Sequence, residues 1–156
     1  MQKHLLRRVV PVLACAVALS LSSCATFQRW GDQGAVRQVT GEIKAANAPA
    51  LAARSVTPFL LDGEIVLIPS DVADFWAGVL KAGFTIDGAT LDAGAAVSPQ
   101  SYQKFADTME VKAFFSRYVK SGSRILELNT ASGTHVLLLV KSDWFTWKII
   151  GFKGPF

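Results

Sequence analysis

RILELNTASGTHVLLLVKSDWFTWKIIGF, Arg124–Phe152, is the stretch that decides the fold of this chain. It reads as three strands, Arg124–Thr130, Thr134–Lys141 and Trp144–Phe152, because β-branched and aromatic residues cluster between two short breaks, Ala131-Ser132-Gly133 and Ser142-Asp143. Connections this short join antiparallel neighbours, so a three-stranded meander is expected. Val136–Val140 is apolar at every position. A strand of that kind is expected to be covered on both faces.

Toward the N-terminus the period changes from two to 3.6. Asp107 and Glu110 stand in capping-box spacing ahead of a helix carrying Val111, Phe114, Phe115 and Tyr118 on one face, with Gly122 closing it. Residues 84–101, rich in Gly, Ala and Asp, predict a loop with a short strand at Phe84–Asp87. Ser70-Asp71 opens the clearest helix, residues 71–82, in which Val72, Phe75, Trp76, Val79 and Leu80 recur at i, i+3, i+4, i+7 and i+8 before Lys81 and Gly83 end it. Thr57–Ile68 reads as a hairpin about Asp62-Gly63, with Leu61 facing Glu64 and Phe59 facing Val66. Further back, Asp32 is placed to cap a helix with the stripe Val36, Val39, Ile43 and Ala46, ended by Asn47 and Pro49, and a second short helix follows over Pro49–Arg54. Helices early and an antiparallel sheet late define an α+β domain.

This order of elements, ending in Trp147-Lys148-Ile149-Ile150-Gly151-Phe152, resembles the small NTF2-like domains with their cone-shaped, cystatin-like fold, over residues 32–153. The resemblance implies a curved antiparallel sheet with the N-terminal helices packed on it and Phe75, Trp76 and Val79 against its concave face. The alternative is another α+β fold with helices on an antiparallel sheet. Two features depart from the family: residues 107–120 read as helix where it usually has a strand, and the loop at 84–101 is long. No family active-site motif stands at matching positions, so no catalytic residue is carried over. If the cone is filled by its own side chains, the binding surface is expected on the loop at 84–101.

The N-terminus tells where the protein resides. Lys3, Arg7 and Arg8 precede an apolar run, Val9–Leu21, which leads to Leu21-Ser22-Ser23-Cys24. That tetrapeptide resembles the lipobox of bacterial lipoprotein precursors, and the resemblance implies a signal peptide over residues 1–23 that is cut away and acyl chains (diacylglycerol and a palmitate-type chain) on Cys24. The run is only about 13 residues and holds Pro11, short of the roughly 20 that span a bilayer. A rival site before Cys15 leaves an h-region of six residues, which favours Cys24. Residues 24–31 then form a tether reaching at most about 28 Å at ~3.5 Å per residue, and two or more acyl chains hold a protein on the membrane. Phe27, Arg29 and Trp30 either settle among the headgroups or, for the two aromatics, cap the domain core. Ala25 is not the Asp that retains enteric lipoproteins at the inner membrane, which by the same resemblance favours the outer membrane. The expected location is the bacterial cell envelope, with residues 32–156 as one domain outside the cytoplasm.

Composition excludes several classes of function. Three of the 16 Lys and Arg residues lie before Cys24, leaving 13 against all 12 acids, and no basic run remains to follow a phosphate backbone. Nucleic acid is therefore not an expected partner. Both Cys lie in the signal and anchor, and His135 is the one His after the signal, so neither a disulfide, a metal site nor a cofactor is expected. There is no phosphate-binding Gly-Lys loop and no Gly-x-Ser-x-Gly elbow. Asp62, Asp87 and Asp143 occupy expected turns, where Asp bonds its local backbone.

Two constellations remain. Glu127 and His135 lie on adjacent strands and project from one face as diagonal neighbours if the hairpin loop is three residues, but from opposite faces with two or four. Sharing a face, they form a weak candidate acid–base pair, against the plainer reading of a solvated cross-strand contact. Phe75, Trp76, Phe114, Phe115, Tyr118 and Trp147 are numerous enough to line an apolar pocket, or simply to build the core. Scarce His, Cys and clustered acids favour a lipid-anchored, non-catalytic binding or scaffold domain for an apolar small molecule or an envelope protein partner. The alternative is a small isomerase- or hydrolase-like enzyme of the NTF2-like fold, which requires a buried ionisable residue at the base of a cavity.

Overall fold

A computed structural model describes residues 31–86, 89–130, 133–143 and 146–155. By its contacts the chain divides into two compact units, residues 1–34 and residues 35–156. Cys24, Phe27, Trp30, Asp87 and Trp144 lie outside the described residues.

Among the described residues the domain is α+β, with four α-helices and a six-stranded mixed sheet in the order β2-β1-β6-β5-β4-β3. Helix α1 (residues 31–44) is followed by α2 (Ala48–Arg54), β1 (Ser55–Leu61), β2 (Glu64–Val66), α3 (Pro69–Lys81), β3 (Thr90–Ala96), α4 (Met109–Tyr118), β4 (Ser123–Asn129), β5 (His135–Asp143) and β6 (Thr146–Lys153). The C-terminal meander β4-β5-β6 is antiparallel in unbroken order, as its short connections require.

β5 decides the layering. Val136, Leu138 and Val140 face one way, into a core with Val36, Val39 and Ile43 of α1, Leu51 of α2 and Val72 and Trp76 of α3. Leu137 and Leu139 face the other way, against Phe105 and against Val111, Phe114 and Phe115 of α4. Period-two alternation along an all-apolar strand thus feeds two cores at once. α1, α2 and α3 cover one face and α4 the other, so the helices are not confined to a single concave side.

The Asp62-Gly63 hairpin forms in the expected register, Phe59 opposite Val66 and Leu61 opposite Glu64. Asp62 at φ +50° and Gly63 at φ +103° supply the two left-handed residues that match the twist of paired strands. The Asp62 carboxylate also accepts the amide of Gly154 at 2.8 Å, pinning the turn to the end of β6.

Several expectations are corrected. The sheet is not wholly antiparallel, because β1 pairs with β6 in parallel. Within the Gly- and Ala-rich segment 84–101, expected as a loop, Thr90–Ala96 forms edge strand β3 on β4, while residues 84–86 are not a strand. β5 continues through Ser142 and Asp143, with Asp143 paired to Thr146, so the connection falls at residues 144–145 and Asp143 is a strand end. α4 is capped by Thr108, whose hydroxyl accepts the Val111 amide at 3.3 Å, and not by Asp107; it closes at Val119, before Gly122. α3 opens two residues early, at Pro69 after Ile68, since Pro suits the first helical turn. Residue 31 is already helical, so Asp32 is not the first cap. At the other end Ala46 is exposed at φ +48°, and Asn47 instead caps α2, its side chain accepting the Ala50 amide at 3.1 Å.

Candidate functional site

The β4-β5 register places Asn129 opposite His135 and Glu127 opposite Leu137. Glu127 and His135 therefore project from one face as diagonal neighbours, although the connection, residues 130–134, is longer than three residues; an odd number preserves the face. Each is nevertheless engaged elsewhere. His135 Nδ1 donates to Asn129 Oδ1 at 2.5 Å, directly across the strand pair. Glu127 Oε1 takes the ammonium of Lys104, in a 3₁₀ turn over Ser101–Lys104. Lys153, across β5 from Glu127, donates to the Phe105 and Lys104 carbonyls at 2.6 and 2.9 Å. These bonds fasten the turn before α4 to the sheet, and neither Glu127 nor His135 is fully buried.

The six candidate pocket aromatics are divided by the sheet. Phe75, Trp76 and Trp147 belong to the core under α1–α3. Phe114 and Phe115 belong to the core under α4, and Tyr118, 39% exposed, lies tilted against Phe114 at 5.5 Å between ring centroids. Sheet and helices thus keep them from lining one cavity. Between α3 and the sheet the space is filled by Trp76, Phe59 and Phe152, all 0% exposed, with Phe75 4.9 Å from Trp76 and 5.5 Å from Phe152.

An open groove of about 480 Å³ lies instead on the other layer, between the end of β3 and α4. Val97, Pro99, Phe115 and Val119 form its apolar surface, and Lys112, Lys120, Ser98, Ser116 and Ser121 its polar one. Its volume falls within the range of small-molecule sites. The Ser98 amide donates to Ser101 Oγ at 2.8 Å, closing the loop that presents Pro99. The α4 wall follows from helical spacing, since Lys112, Phe115, Ser116 and Val119 fall at i, i+3, i+4 and i+7.

Of these residues only Phe115 was singled out by sequence. Lys112, Ser116 and Lys120 recur four apart, a signal present in the sequence but indistinguishable from any solvated helix face. Val97–Pro99 had no position until β3 was known to be a strand. Among the described residues no group of three or more His, Cys, Asp or Glu is arranged to hold a metal, and no helix there is long and apolar enough to cross a membrane.

No protein-family model matches the chain, and no curated protein is significantly similar to it. A domain of unknown function with a cystatin-like fold from Nostoc punctiforme is similar at 16% identity, covering 79% of this chain and 75% of its own, with a TM-score of 0.39.

Proposed function

We propose that this protein is a lipid-anchored protein of the bacterial cell envelope whose domain binds an apolar small molecule in the groove between Val97–Pro99 and α4, without catalysing a reaction. The observation that carries the binding reading is where space is left: rings fill the interior under α3, while the groove on α4 stays open with Phe115 and Val119 in its wall. It includes part of the segment 84–101 expected to bear the binding surface if the cone is filled. Glu127 and His135 bonded to Lys104 and Asn129 favour binding over acid–base chemistry. The anchor rests on the lipobox-like Leu21-Ser22-Ser23-Cys24.

Two measurements test the reading. Radiolabelled palmitate should enter the wild-type chain and the Cys15→Ala variant but not Cys24→Ala; label surviving in Cys24→Ala refutes the anchor. For the domain, the full chain in phosphatidylcholine nanodiscs is photolabelled with a neutral diazirine analogue of octanol and mapped by peptide mass spectrometry. Label should concentrate in Val97–Pro99 and Phe115–Ser121, and label absent from both overturns the groove as binding site.

A further inference from the structure

The groove carries a lysine toward each end of its α4 wall. Lys112 sits in the first half of α4, where the helix dipole is positive, and Lys120 lies past its C-terminal end. Their ammonium groups are not equally available. Lys120 Nζ donates to the Arg117 carbonyl at 3.2 Å, so it serves the helix's own terminal carbonyls. Lys112 Nζ stands 5.9 Å from the centroid of the Tyr102 ring, and among the described residues no hydrogen bond or carboxylate occupies it. Among the described residues, none that lines the groove is acidic.

From Lys112 the α4 wall runs to Phe115 and then Val119, a span of about 10 Å at 1.5 Å per residue. Val97 and Pro99 flank it from the other side. A ligand lying along the groove from Lys112 meets that cation first, then an aromatic ring, then aliphatic side chains, with Lys120 beyond them at the far end. Resting on the groove reading above, we infer that the ligand is an anionic single-chain amphiphile, its head at Lys112 and its apolar chain along Phe115 and Val119. A neutral apolar molecule leaves the Lys112 ammonium unused, and a free small anion leaves the apolar wall exposed.

The test uses the full chain in phosphatidylcholine nanodiscs, photolabelled with a diazirine analogue of octanoate and competed by octanoate, octanol or acetate. Label is expected in Val97–Pro99 and Phe115–Ser121, displaced by octanoate at lower concentration than by octanol, and untouched by acetate. Lys112→Gln should weaken labelling about fivefold, as expected for one exposed ion pair, while Lys112→Arg retains it and Lys81→Gln, on α3, changes nothing. Raised salt should narrow the octanoate advantage by screening. Equal competition by octanol and octanoate, with Lys112→Gln unaffected, overturns the anionic head while leaving an apolar groove. Displacement by acetate overturns the amphiphile in favour of a simple anion site. If neither the octanoate nor the octanol probe labels the groove, this inference and the groove reading fall together.

Discussion

Replacing Trp76 probes the packing of α3 on the sheet most directly. The ring is fully buried, in edge contact with Phe152 at 5.4 Å and tilted against Phe75 at 4.9 Å. Its Nε1–H donates to Ser55 Oγ at 2.9 Å, and that hydroxyl donates in turn to the Leu51 carbonyl at 2.9 Å, linking α3, β1 and α2. Trp76→Ala removes the ring and leaves a cavity that close-packed neighbours fill only in part, so the expected loss is about 3–5 kcal/mol. Trp76→Phe keeps most of the apolar volume and removes the N–H donor. Ser55 Oγ retains its bond to Leu51, and the further loss from the missing hydrogen bond is ~1 kcal/mol. A domain's whole stability is about 5–15 kcal/mol, so the alanine variant should be folded but marginal. Urea unfolding followed by far-ultraviolet circular dichroism, on the chain starting at Arg29, measures both. The double variant Trp76→Phe/Ser55→Ala should lose less than the sum of its parts, because the two side chains share one bond. A Trp76→Ala loss below about 1 kcal/mol, as at an exposed site, refutes the packing described for α3.

Other substitutions test separate parts of the structure. Thr108→Ala should cost about 1 kcal/mol through loss of the α4 cap, and Asp107→Ala nearly nothing; the reverse order in urea melts would restore Asp107 as the cap. Gly151 lies in β6 where an added Cβ would stand 3.1 Å from the Leu60 carbonyl and 3.2 Å from Leu139 Cβ. Gly151→Ala should therefore destabilise by about 1–3 kcal/mol through overpacking, and an unchanged melting temperature would contradict the close approach of β1 and β5 over that position. Glu127→Gln should lose no more than about 1 kcal/mol, since its ion pair with Lys104 is partly solvated. His135→Ala should likewise leave the circular dichroism spectrum native, and a collapse of the fold in either variant would assign the pair a deeper structural role.

Elements whose own residues carry their reason were legible in the sequence. The Asp62-Gly63 turn, the α3 and α4 stripes and the two-faced strand Val136–Val140 follow from local backbone preference and from the periods of helix and strand. Caps and strand ends were displaced by one or two residues because Asp107 and Thr108, or Ser142 and Asp143, offer nearly equal local solutions, and the neighbouring strand or helix chooses between them. β3 was illegible for a deeper reason. Thr90–Ala96 has weak β preference of its own, but β4 presents an edge whose peptide groups need partners, and pairing from Thr90 opposite Asn129 to Ala96 opposite Arg124 supplies them. The parallel contact of β1 with β6 joins residues some 90 positions apart, a choice made by burial of Phe59 and Leu60 on opposite faces and not by any local signal. The groove depends on the first of these decisions, since the placement of β3 brings Val97–Pro99 to α4. Sequence by itself determined which segments are helical, which turn and which residues seek burial; tertiary structure alone decided which face each helix covers and where the surface stays open, because those outcomes depend on contacts between segments that no local pattern encodes.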